Sequence, residues 1–285
     1  MKKIKAKKSL SEKALLVVVS ISQWSGRKID KKATETANVA HKASQQAGRY
    51  HKALLPGAEE LSNISALASQ ARTYFYEQTL PWMNDGSRII SGKNYLRFAG
   101  EMQKIKAEFE SSVKAFVAAY PKLKAEAVQK LGELYDAEEY PEDISSKFSL
   151  EVSFLPLPDV KDFRTEISDA EKKAFIAKMK ETELKATQEC FNRLHTVVKN
   201  AAEKLKKPDA IFRDNLIENI KEMVSLLPML NVSDSSQLEK IRKEVSELVG
   251  EIDVKEIRQD SKKRDVASKA LSDIEAKMGA FMGRK

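Results

Sequence analysis

"ALLVVVSISQW", residues 14–24, decides the fold of this chain. It follows a lysine-rich start, so the first question is whether it forms the core of a secretory signal. Glu12 and Lys13 interrupt the approach, and no small-x-small cleavage pattern follows before Trp24. The run is also far shorter than the ~20 apolar residues that a membrane span requires. Its β-branched content, Val17, Val18, Val19 and Ile21, favours a buried strand over a turn of helix.

A strand needs a partner, and one is visible far along the chain. Phe148, Leu150, Val152 and Phe154 alternate with Ser149, Glu151 and Ser153, the period-two pattern of a half-exposed strand, closed by Pro156 and Pro158. Residues 14–23 and 147–155 are therefore expected to form a small sheet that ties the two halves of the chain into one unit spanning 1–285.

The rest reads as helix. After "SGRKID", which offers a turn at Gly26 and an N-cap at Asp30, a helix is expected to run to about Leu55 and to stop at Pro56-Gly57. A second spans about 58–80, with Leu61, Ile64, Leu67, Ala71 and Phe75 at spacings of three and four. A third carries Phe98, Met102, Ile105, Phe109, Val113, Phe116 and Tyr120 on one stripe, with Pro121 as a kink or a new start before Leu123, Ala127, Leu131 and Leu134. A long helix begins near Ser168 with the stripe Phe175, Met179, Cys190, Leu194, Val197 and Leu205, and Pro208 is expected to open the next. In residues 235–285, Leu238, Ile241, Val245, Leu248 and Ile252 step like a coiled-coil seam, followed by Leu271, Ile274 and Met278. Gly250 and "RQDSKKRD" break that register, which favours helical hairpins or a local dimer seam over one rod. The fold class is mainly α, about two-thirds helical, with long antiparallel helices in a bundle or coiled-coil hairpins and a small β-sheet.

Composition agrees. A content of 42% hydrophobic and 32% charged residues with 10 Gly and 8 Pro suits a helix-rich globular protein better than a disordered chain or a β-sandwich. The formal charge of +8 is concentrated at one end, because residues 1–60 hold 13 Lys/Arg against 5 Asp/Glu while the remainder holds 37 of each. Lys2, Lys3, Lys5, Lys7 and Lys8 sit in a stretch read as a flexible basic tail over residues 1–13, able to contact phosphates on nucleic acid. A single cysteine, Cys190, excludes an intramolecular disulfide and a multi-cysteine zinc site, and fits a reducing, cytoplasmic setting.

Chemistry is sparse. His41, His51 and His195 lack the spacing of a metal site, and the chain has no GxxxxGK[ST], GxGxxG or GxSxG motif. No catalytic residue, cofactor or metal is expected. "LPWMNDGSRII", residues 80–90, reads first as a structural corner: Pro81 stops a helix, Trp82 anchors the connection, Asn84-Asp85-Gly86 reverses it, and Arg88 pairs with Asp85 or bonds helix carbonyls. In the functional version Trp82 and Arg88 face a partner or a phosphate.

The strand followed by "WSGRK", then "TLPWMNDGSRII" with "YLRF" close behind, then "FSLEVSFLPLPDVKDFRTEISDAE", resembles an uncharacterised family of bacteriophages and of bacterial genomes with mobile elements. The likeness covers most of the chain, and Trp24, Gly26, Arg27, Pro81, Trp82, Asp85, Gly86, Arg88, Pro158, Phe163 and Arg164 match the recurring pattern. Genes of this family often neighbour a MoxR-type AAA ATPase and a von Willebrand A-type protein, so the resemblance implies a helical accessory of an ATPase-driven remodelling system. It would act in the host-cell cytoplasm if phage-encoded, and the resemblance supplies no reaction. The expected function is accordingly a non-enzymatic adaptor or scaffold that self-associates or binds a protein. Its candidate partner or anion contacts are Trp24, Arg27, Lys28, Trp82, Asp85, Arg88 and Arg164. The alternative is sequence-nonspecific nucleic-acid binding by the basic N-terminal region, with Arg27, Lys28, Lys31 and Lys32 extending the lysine tail.

Overall fold

The computed structural model describes residues 9–83, 86–159, 168–207 and 211–281. The chain is mainly α, 66% helical, with a small antiparallel sheet. The first strand, β1 (Ala14–Ser22), lies between β5 (Ser87–Ser91) and β6 (Ser149–Pro156), and β4 (Leu80–Pro81) follows β5, giving the order β4-β5-β1-β6. The neighbour found for β1 in the second half of the chain is thus the expected one. Its other neighbour was not expected: β5 runs antiparallel to it, with Ala14 opposite Ser91 and Val18 opposite Ser87. β5 also pairs with β4, so the 80–90 corner is a hairpin.

Two compact units divide the chain. One holds residues 1–18, 76–98 and 153–285, and the other holds 19–75 and 99–152. Neither is a contiguous piece of sequence, which sets a different partition beside the single unit expected over 1–285.

In the first unit, sheet residues Ala14, Leu16, Leu80 and Ile89, with Trp82 just after β4, share one core with four main helices. These are α4 (Asp169–Leu205), α5 (Asn215–Leu230), α6 (Ser236–Glu251) and α8 (Ser261–Phe281), with the short α7 (Val254–Gln259) between the last two. Ser168 starts α4 with a capping box, its hydroxyl accepting from the Glu171 amide while the Glu171 carboxylate accepts from the Ser168 amide. The two C-terminal seams are spent inside this unit: Leu238, Ile241 and Val245 of α6 and Leu271, Ile274 and Met278 of α8 are all buried in its core. Ser268 of α8 reaches back to donate to the Ala202 carbonyl of α4 at 3.1 Å. Residues 9–13, counted above with the flexible tail, form a hydrogen-bonded turn that is tied down by Lys13 to Asp234 at 2.5 Å and by Ser11 to Asp159 at 2.9 Å. Pro208, expected to open a helix, lies outside the described residues.

The second unit contains most of α2 (Glu59–Gln78) and α3 (Tyr95–Leu131), and their stripes fill its interior. Ile64, Ala68, Ala71 and Phe75 are buried on α2, as are Met102, Ile105, Phe109, Phe116 and Tyr120 on α3. Pro121 lies inside α3 at an exposed position, and the helix continues through it. Trp24 packs its ring on Phe116 and Tyr120 at centroid distances of 6.4 and 6.2 Å.

The first helix is shorter than the stretch to Leu55 expected for it. Asp30 does cap α1 (Lys31–Ala40), accepting from the Ala33 amide at 2.9 Å. The helix then ends at Ala40, Lys42 takes a positive φ of 51°, and the buried Asn38 amide donates to the carbonyls of Gln45 and Gly48. Tyr50–Ala53 forms strand β3 against β2 (Arg27–Asp30), with Lys28 opposite Lys52 and Ile29 opposite His51. The physical reason is that residues 41–55 have no apolar stripe to bury on a helix, whereas a local strand partner satisfies their backbone. Gly26 makes the turn into β2: its φ is +62°, and a Cβ there would meet Leu61 Cδ2 at 2.7 Å.

A fragment ending at residue 140 lacks β6 and leaves one edge of β1 open. It is expected to aggregate and to show no cooperative urea transition by circular dichroism. A sharp, reversible transition in that fragment contradicts this reading of the sheet.

Candidate functional site

The corner motif resolves into a cap for the end of α2. A helix leaves its last carbonyls without intrahelical donors, and here two guanidinium groups supply them. Arg88 of β5 donates from Nε to Thr79 Oγ1 at 2.7 Å and from Nη2 to the Thr79 carbonyl at 3.0 Å. Arg193 of α4 donates to the carbonyls of Glu77, Tyr76 and Thr79 at 2.8, 3.1 and 2.9 Å. Glu189 holds Arg193 from one helical turn away at 3.0 Å, and the Arg88 guanidinium lies 4.8 Å from the Tyr76 ring centre. Burial, and then the neighbouring Arg193 charge, pull the Arg88 pKa below its ordinary value. These cations are occupied by backbone oxygens, and Trp82 is buried in the core of its unit. The structural-corner reading therefore accounts for Trp82 and Arg88, while Asp85 lies outside the described residues. Arg193 was missed because a lone arginine in the middle of a charged helix carries no sequence signal.

The second cluster joins β2 and β3 to the turns after α3. Lys52 is almost fully buried, and its Nζ lies 3.1 Å from Asp30 Oδ2, 2.8 Å from Glu139 Oε2 and 2.6 Å from the Leu134 carbonyl that accepts from it. Burial alone would depress the Lys52 pKa, but the pairs with Glu139 and Asp30 outweigh it and hold the ammonium above its ordinary range. The Ala33 amide, followed by Lys52, lowers the Asp30 pKa. Tyr140, next to this cluster in sequence, donates to the Leu54 carbonyl at 2.7 Å, and burial pushes its phenol up to about 12. Such a triad holds a ribbon in place. Its one ammonium is engaged by three acceptors at once. Sequence reasoning could not find it while Lys52 stood on an expected helix.

The third feature is the outer surface of the same ribbon. Arg27 and Lys28 are exposed on β2, and Lys31, Lys32, Lys42 and Arg49 are exposed around them. Of the sequence-derived site residues, Trp24, Arg27 and Lys28 fall in this unit, whereas Trp82 and Arg88 fall in the other. Trp24 is half-buried against α3. The anion site expected from Arg27, Lys28 and Arg164 cannot be assembled from described residues, because Arg164 lies outside them. Lys2, Lys3, Lys5, Lys7 and Lys8 lie outside them as well. Among the described residues no group of three His, Cys, Asp or Glu side chains could hold a metal ion, and no helix is long and apolar enough to cross a membrane.

Cys190 is buried in the first unit, and burial pushes its thiol up to about 12. Comparison of the chain with protein-family models, curated proteins and solved structures gives no match.

Two outcomes follow from these environments. Lys52→Ala leaves two carboxylates facing each other without their cation, and is expected to lower unfolding free energy by about 3–5 kcal/mol in urea titrations. The pH dependence of the triad has two limbs. The Asp30 contribution is complete above its ordinary 3.8 and is lost as pH falls through its lower folded value, while the Lys52 contribution is complete below 10.5 and is lost as pH rises through its higher one. A change under about 0.5 kcal/mol, the size of an ordinary surface substitution, contradicts the structural role. Cys190 is expected to resist a thiol-specific reagent at mildly alkaline pH until denaturant is added, and rapid labelling of the native chain contradicts its burial.

Proposed function

We propose that the chain is a non-enzymatic helical adaptor that receives an amphipathic helix of a protein partner. The observation that carries the reading is a groove of about 560 Å³ on the first unit, where α4 and α5 meet the end of α2. Val197, Met223 and Leu226 give it a half-buried apolar floor, Tyr76 stands 55% exposed beside it, and Glu77 and Glu222 rim it. Apolar grooves between helices accept the apolar face of a third helix, with specificity set by charges at the rim. Arg193 also lines the groove but is engaged by carbonyls and Glu189, so the exposed carboxylates Glu77 and Glu222 favour an occupant flanked by Lys or Arg. Family resemblance suggests a MoxR-type AAA ATPase as the partner class, with phage or mobile-element biology as the setting and the cytoplasm as the compartment. A second copy of this chain is the competing occupant.

Glu77→Lys/Glu222→Lys reverses the charge of the exposed rim and leaves the core, against which Met223 and Leu226 pack, unaltered. The full chain is expected to elute as a monomer by size exclusion with light scattering and to bind the purified ATPase. The double variant should bind at least about tenfold more weakly at an unchanged melting temperature, a loss of roughly 1.4 kcal/mol. A chain that dimerises through this groove assigns the surface to self-association. A monomer that binds no ATPase, or a variant that binds as well as the parent, rejects the proposal.

A further inference from the structure

The β2–β3 ribbon carries charge for which the fold has no use. Asp30 and Lys52, one acid and one base of this segment, are paired with each other inside the unit. That leaves Arg27, Lys28, Lys31, Lys32, Lys42 and Arg49 exposed, against Glu35 as the exposed acid of the same segment. The register sorts the strand residues by face. Lys28, Asp30, Tyr50 and Lys52 share the face from which Lys52 turns inward, while Arg27, Ile29, His51 and Ala53 share the other, and all four of the latter are exposed. Ile29, 42% exposed, lines a cavity of about 440 Å³ with Lys31 and Arg49.

We infer that this ribbon binds duplex nucleic acid through its phosphates, with Arg27 and Lys28, exposed on the two faces of β2, and Arg49, just before β3, as contacts and Lys31 and Lys32 continuing them onto α1. Shape and charge both favour this occupant. A two-stranded antiparallel ribbon is one of the two elements that fit the major groove of B-DNA, about 12 Å wide. Isolated exposed ion pairs with an acidic protein would contribute little, whereas each cation placed on a polyphosphate releases a condensed counterion. Lysine and arginine contacts to phosphate position the protein and carry no base information, so binding is indifferent to sequence. The site does not depend on the helix-binding groove, nor on residues 1–8.

Fluorescence anisotropy of a labelled mixed-sequence duplex, titrated with the full chain between ~50 and ~200 mM salt, tests this. Neutralising roughly five phosphates gives a slope of log affinity against log salt of about −4 to −5. Arg27→Ala/Lys28→Ala/Lys31→Ala/Arg49→Ala is expected to make that slope shallower by roughly 3 to 4, at about 0.9 for each phosphate no longer neutralised. Lys199→Ala/Lys204→Ala/Lys207→Ala/Arg213→Ala removes the same charge from the other unit and is expected to change nothing beyond a small nonspecific loss. A chain lacking residues 1–8 is expected to keep binding. Should the quadruple ribbon variant fail to fold, Arg27→Glu and Lys28→Glu, each at an exposed strand position, are expected to weaken binding singly. Absence of binding even at the lowest salt overturns the proposal, as does binding that vanishes with residues 1–8 yet survives the ribbon variant. Binding to phosphatidylserine vesicles without binding to the duplex overturns it too.

Discussion

A strand inside a sheet must have both edges paired, and β1 meets that demand with segments drawn from far along the chain. Its partners are β5, about seventy residues on, and β6, well beyond that. The helices between these strands are therefore constrained to begin and end where the sheet requires. α2 must stop in time for Leu80–Pro81 to join the sheet, and the residue before a proline is already biased toward extended backbone. That early stop leaves the last carbonyls of α2 without donors, which is why two arginines converge on them. The corner motif is thus a consequence of the sheet, and its tryptophan and arginine are consumed by the fold.

The interior uses charge selectively. Where a cation is buried or half-buried it meets several acceptors: buried Lys52 has two carboxylates and a carbonyl, and half-buried Arg193 has three carbonyls and a carboxylate. Cations left outside these pairings stay in water, and on the ribbon they carry the nucleic-acid proposal. Among the described residues of the basic N-terminal region, Arg27 and Lys28 lie exposed on the ribbon and Lys31, Lys32, Lys42 and Arg49 lie exposed in the segment that joins its strands, while Lys52 turns inward.

The parts of the fold that were legible in sequence are those with a strong apolar period. The alternation of Phe148–Phe154 and the β-branched run at 17–21 announced β6 and β1, and the stripes of α2, α3, α4 and α6 gave their helices to within a few residues. β2, β3 and β5 were not legible, for different reasons. β2 and β3 are four residues each and mostly exposed, so they carry no alternation, and α1 was extended across β3 because nothing apolar marks its end. β5 is hidden in a motif whose turn residues drew attention away from Ile89 and Ile90, both buried. At the candidate site, Arg27 and Lys28 were legible as charge. The roles of Lys52 and Arg193 were not, since each depends on partners brought from distant sequence.

Amide hydrogen exchange of the full chain, with and without a mixed-sequence DNA duplex at low salt, tests most directly whether the charge left outside by the fold on the β2–β3 ribbon is its working surface. A working ribbon predicts slower exchange concentrated in residues 27–53, with the α4–α8 helices unchanged. Protection confined to other segments, or no protection anywhere at saturating duplex, contradicts it.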